Sequence, residues 1–164
     1  MRRVAVTGIG VVSPLGNDAR AFFAALAAGR SGIGRLSMRF EERLACRVGA
    51  SVIGFDAASL FAAPRLRMLD RVSQLALAAA AEAVGAAGAA FEELDLDRAG
   101  VFVGTGMGGA RTTDEGYYTL YAERSDRVKP FSVLLAMNNA AASWIGMEHG
   151  LRGPNLTYST ACSS

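Results

Sequence analysis

The residues best suited to chemistry lie at 158–164, where Tyr158-Ser159-Thr160 leads into Ala161-Cys162-Ser163-Ser164. The pattern predicts a strand over 155–159, entered from the Gly153-Pro154 turn, with small residues after Cys162 that suit the first turn of a helix. A thiol so placed faces free backbone N–H groups, which favour its thiolate. Those N–H groups can also donate to the oxyanion that forms when the thiolate attacks a carbonyl. Strand, turn and helix in this order is the arrangement in which many hydrolases present a nucleophile. Spacing alone leaves a buried structural thiol open as the alternative. The other cysteine, Cys46 in LACRVGA, reads as a small, partly buried hydrophobe. His149 is the one histidine, and it closes a predicted helix before Gly150, where a capping role is expected. No acidic partner or ligand spacing accompanies it, so no base for Cys162 is visible in the chain.

A second cluster is GTGMGGA at 104–110. Gly104, Gly106 and Gly109 satisfy G-x-G-x-x-G after a predicted strand, yet no strand ending in Asp or Glu follows about twenty residues later to hold a ribose. The expectation is a tight strand-to-helix turn beside a ligand channel or an interface.

The elements that must position these groups alternate between strand and helix. Arg3 to Thr7 reads as a buried strand, followed by a turn punctuated by Gly10, Pro14 and Gly16. Asn17 or Asp18 can cap a helix running to about Ala28, with Gly29 as its stop. Residues 30–63 read as loop-rich, with a short extended piece near Val48 to Val52. Asp70 can cap a helix from Arg71 to about Ala87, whose Val72, Leu75, Ala76, Ala79 and Ala83 share one face. Those small residues would let another backbone approach closely. A strand is expected at Gly100 to Gly104, with helices at Thr112 to Glu123 and Asn139 to His149. Together these make an α/β domain with a layered sheet.

Half of the 164 residues are apolar (51%) and 20% are charged, which is ordinary globular composition with room for one core. A formal net charge of +2, without a basic run, gives no reason to expect nucleic acid. No apolar run is long enough to span a membrane, and the segment after Arg2-Arg3 breaks too early for a signal peptide. A cytoplasmic protein is expected. Two thiols without a histidine cluster make neither a disulfide framework nor a metal site.

Three stretches taken together resemble one family: VAVTGIGVVSPLGND at 4–18, GTGMGG at 104–109 and RGPNLTYSTACSS at 152–164. They are similar, in the same order, to the β-ketoacyl-acyl carrier protein synthases, especially the type II elongating enzymes and polyketide ketosynthases. The resemblance implies a thiolase-like fold (layered αβαβα), of which residues 1–164 would be the N-terminal half, ending just after the nucleophile. It implies acyl transfer to Cys162 and then decarboxylative condensation with malonyl-carrier protein, in fatty acid or polyketide synthesis. The Cys162 backbone N–H would be one oxyanion donor, and Met107 and Phe131 would line the acyl pocket. Arg67, Arg127 and Lys129 fall where such enzymes dock an acidic carrier protein, although plain solvated surface explains them equally well. No bound cofactor is implied, since phosphopantetheine arrives on the carrier. A dimer is expected, with itself or with a related ketosynthase or chain-length-factor subunit. The family's two catalytic histidines and a lysine would lie beyond Ser164, and His149 matches neither histidine. Two alternatives accompany this reading: a non-catalytic subunit like the chain-length factors, which commonly carry glutamine in place of the cysteine, or a fragment inactive as it stands.

Overall fold

A computed structural model describes residues 3–164. Helix α1 (Ala19–Ala27) starts at Asp18, whose carboxylate accepts from the Ala21 N–H at 2.6 Å. It ends before Gly29, whose φ of +63° is a conformation that glycine adopts without strain. A small antiparallel pair, β1 (Gly34–Arg35) and β2 (Val48–Gly49), is the only regular strand pairing in the loop-rich stretch expected there. Helix α2 (Ala63–Leu66) leads to the long helix α3 (Arg71–Ala87), capped by Asp70 as its sequence predicts. A short α4 (Ala89–Glu92) then turns the chain into β3 (Val101–Gly104).

Between β3 and its partner β4 (Asn155–Tyr158) lie three helices. They are α5 (Ala110–Tyr117), which runs on into a wide π-type turn over Tyr118–Ala122, then α6 (Ser132–Ala136) and α7 (Ala140–His149). The strands pair in parallel, Val101 beside Asn155 through to Gly104 beside Tyr158, as a helical crossover requires. Helix α7 covers one face of this pair. The Asn155 side-chain amide donates to the Ala142 carbonyl at 2.9 Å, and a Cβ on Gly146 would stand 2.8 Å from the same amide nitrogen. Helix α3 packs against α7 from the other side, so Ala140, Ala141, Ala142, Leu77 and Val101 form the core. Small residues dominate it because helix and sheet approach closely there.

Several expectations are corrected. Arg3 to Thr7 forms no regular strand and pairs with none among the described residues, and Val4 is 94% exposed. What holds the following segment is α3: side chains on Gly8 and Gly10 would run into the carbonyls of Ala83 and Ala79. The close backbone approach expected of that helix face is therefore present, although its residues are only half-buried and the full burial falls on Ser73 and Leu77. Cys46 is exposed rather than partly buried, because it precedes the two-residue edge strand β2; its thiol donates to the Val48 carbonyl at 3.8 Å. His149 does not cap α7. The Gly150 N–H, at φ +64°, donates to the Gly146 carbonyl instead, and the imidazole lies edge-on to Phe91. Helix α6 was not anticipated, being a single turn with no side-chain cap.

Candidate functional site

The two sequence clusters meet at the carboxyl ends of β3 and β4, the end at which open parallel sheets hold their ligands. The glycine loop (104–109) leaves β3 and the cysteine turn (159–164) leaves β4. The Thr105 N–H donates to the Tyr158 carbonyl at 2.9 Å, extending the strand pairing into the loops. A Cβ on Gly104 would stand 2.7 Å from the carbonyl carbon of Ser164, so glycine is what lets the turn fold over the strand end.

The cysteine turn is a short 3-10 segment, Ala161–Ser163. Ala161 has a φ of +56°, a left-handed conformation that costs a residue with a Cβ about 1–2 kcal/mol. Three hydroxyl contacts hold it there. Ser164 Oγ accepts from the Thr160 N–H at 2.8 Å and donates to the Thr105 carbonyl at 3.3 Å, while Ser163 Oγ donates to the Thr160 carbonyl at 2.9 Å. Cys162 sits on the outside of this bend with its thiol exposed, and no acceptor among the described residues engages its backbone N–H. An exposed thiol on a strained turn beside a free N–H is arranged for attack on a carbonyl, with a donor ready for the oxyanion.

Met107 lies in the glycine loop and is 70% exposed. Its carbonyl accepts from Thr105 Oγ1 at 3.0 Å, which fixes the loop tip. Phe131 is placed elsewhere: with Arg67, Lys129 and Leu135 it lines a cleft of about 410 Å³ between α2 and α6. Met107 is outside that cleft, so the chain does not bring the two expected pocket residues into one cavity. It does bring two of the expected docking residues, Arg67 and Lys129, to one rim. Arg127 lines the adjoining cleft of about 230 Å³ together with Lys129.

Two long-range links that sequence reasoning missed hold the site together. Asp70 is only 5% exposed and serves two helices. Its Oδ1 accepts from the Val72 N–H of α3 at 3.0 Å, while Oδ2 accepts from the Thr112 N–H and hydroxyl at 2.8 and 2.6 Å. Helix α5 starts at a glycine that offers no side-chain cap, so the carboxylate supplies one from another element. Asn138, between α6 and α7, links Gly108 to Ser159. Both lie far in sequence from their partners, and no local pattern signals such pairings.

Together, fold and site define an α/β protein with an exposed thiol at the carboxyl ends of parallel strands. The β-ketoacyl synthase N-terminal domain model matches residues 1–164, and the chain belongs to that family. It is 32% identical to the 3-oxoacyl-[acyl-carrier-protein] synthase 2 of Synechocystis sp., across 99% of this chain and 39% of that protein. Nodulation protein E of Rhizobium meliloti is 37% identical, with 99% and 40% covered. The chain thus spans about two fifths of the length of these relatives. Among solved structures, the ishigamide ketosynthase/chain length factor superimposes with a TM-score of 0.86 at 26% identity, covering 97% of this chain and 40% of that one. A β-ketoacyl synthase from Burkholderia phymatum gives 0.74 at 26% identity, with 98% and 40% covered.

Proposed function

We propose that the whole protein is a β-ketoacyl-acyl carrier protein synthase in which Cys162 carries the growing chain. The Cys162 thiolate attacks the thioester carbonyl of an acyl-carrier protein, and the carbonyl electrons move onto oxygen beside the Cys162 N–H. Collapse of that intermediate expels the carrier's phosphopantetheine thiolate and leaves an acyl-cysteine. Malonyl-carrier protein then loses carbon dioxide, and its enolate carbon displaces the cysteine to give the β-ketoacyl product. The observation that carries this reading is the exposed thiol on the strained Ala161–Ser163 turn, packed against the glycine loop.

In this reading the αβαβα layering applies to the complete protein, and the uncovered face of β3–β4 is where further structure packs. Met107 borders the acyl channel from the glycine loop, and Phe131 contributes from the neighbouring cleft. Arg67, Arg127 and Lys129 receive the acidic carrier, and the dimer partner is a second copy or a chain-length-factor-type subunit. A non-catalytic subunit would have no use for a thiol at 162.

Intact-protein mass spectrometry of the complete protein, incubated with an acyl-carrier protein, tests the assignment. The wild type and Cys46→Ala should gain the acyl mass, and Cys162→Ala should not. An adduct that survives Cys162→Ala would refute the nucleophile, and an acylated enzyme that yields no β-ketoacyl product from malonyl-carrier protein would refute the condensation.

A further inference from the structure

We infer that Asn138 is a positioning residue that fixes the gap between the Met107 loop and the Cys162 turn, and so sets how bulky a group the thiol can accept. The inference rests on the acyl-transfer reading above. Asn138 sits in the connection between α6 and α7, and its amide uses both ends. Oδ1 accepts from the Gly108 N–H at 2.8 Å, and Nδ2 donates to Ser159 Oγ at 2.8 Å. The backbone N–H can only donate, so it fixes which end of the amide faces the loop. Gly108 is the residue after Met107, and Ser159 follows β4 directly, two residues before the strained Ala161 of the turn that presents Cys162.

The loop has little freedom on the Asn138 side. Cβ atoms on Gly108 and Gly109 would stand 2.7 Å from Asn138 Cα and 2.6 Å from Ala136 Cα. The Gly109 N–H also donates to the Ala136 carbonyl at 3.3 Å. The loop and the α6–α7 connection therefore move as one piece, and the Asn138–Ser159 contact joins that piece to the cysteine turn. The other side-chain bridge between loop and turn, Ser164 to Thr105, is longer at 3.3 Å. Without Asn138 the loop and the turn would be joined only at Gly104 and Thr105, and the Met107 end of the loop would be free to shift relative to Cys162.

The test uses the complete protein as wild type, Asn138→Ala, Ser159→Ala, the double variant and Asn138→Asp. Two rates are read at the Cys162 peptide by mass spectrometry: alkylation by iodoacetamide and by a maleimide with a long alkyl chain. Their ratio reports size discrimination at the thiol. Asn138→Ala and Ser159→Ala should each move it by about fivefold, the scale of one lost hydrogen bond. The double variant should move it no further, because both changes cut the same bridge. In Asn138→Asp a carboxylate still accepts from Gly108 and takes the Ser159 hydroxyl as donor, so the ratio should return to wild type. Transfer from short and long acyl-carrier proteins should follow the same order. A purely structural residue would lower the melting temperature and leave the ratio alone, and that result, or single effects that multiply in the double variant, overturns the inference. If Cys162 is alkylated yet takes no acyl group from any carrier, the acyl-transfer reading fails while the ratio still decides the role of Asn138.

Discussion

Glu115 holds two cations at once, Lys129 Nζ at 2.6 Å and Arg111 Nε at 2.9 Å. The Lys129 hydrogen bond is the main reason its carboxyl lies below the usual carboxylate range, with Arg111 adding to it and partial burial opposing. Lys129 is thus already neutralised by a neighbour, whereas Arg67 and Arg127 make no ion pair among the described residues. If this surface receives an acidic carrier, the two arginines carry most of the attraction. Arg67→Glu and Arg127→Glu should each raise the apparent KM for acyl-carrier protein, with a larger effect at low salt. Lys129→Ala should change it less, because it removes one charge where each arginine reversal changes two, and Arg111 stays paired with Glu115. Steady-state kinetics across a salt series decides the matter: a KM indifferent to both arginines takes them out of the docking surface.

Among the elements, α3 and α5 depend on a single carboxylate for their first turns. Asp70→Ala would leave the Val72 and Thr112 N–H groups and the Thr112 hydroxyl without their acceptor, the last two in a buried site. Loss of a cap costs about 1 kcal/mol and a buried orphan donor about 1–3, so urea unfolding of the complete protein should show a loss of about 2–4 kcal/mol. Thr112→Val removes only the hydroxyl contact and should cost about 1 kcal/mol. Equal stability of Asp70→Ala and wild type would mean that water replaces the carboxylate at both helix ends. The cap of α3 was legible because Asp70 immediately precedes an apolar 3.6-residue period. Its second role was not, because Thr112 lies 42 positions away and only packing brings them together.

At the scale of the whole molecule, the β3–β4 pair is covered on one side only. Register places Phe102 beside Leu156 and Gly104 beside Tyr158 on the face away from α7, and Phe102 is 60% exposed. Parallel sheets are normally covered on both faces, and exposed apolar groups of this kind drive association. Residues 1–164 expressed alone should bind a hydrophobic dye strongly and sediment faster than a monomer, and Phe102→Lys with Leu156→Lys should reduce both signals. In the complete protein the same pair should be destabilising, since it would place charge in a covered site. Weak dye binding by the unsubstituted 1–164 chain would show that this face is not sticky.

The sequence by itself determined what depends on neighbours along the chain. Caps at Asp18 and Asp70, glycine stops at 29 and 150 and the strands β3 and β4 all follow from local stereochemistry and hydrophobic period, whereas the helix start expected at Cys162 is only the 3-10 turn Ala161–Ser163 among the described residues. The three motifs also sufficed to indicate the family. Only the tertiary structure decided the rest. A strand pattern at 3–7 cannot form a strand without a neighbour to accept its hydrogen bonds, and none lies beside it among the described residues. The pairing of β3 with β4 carried the glycine loop and the cysteine turn to one end of the sheet, and the α6–α7 connection placed Asn138 between them. It also separated Met107 from Phe131 and joined Arg67 to Lys129. Sequence distance says nothing of such meetings, because they are fixed by which surfaces bury one another rather than by any residue's own preference.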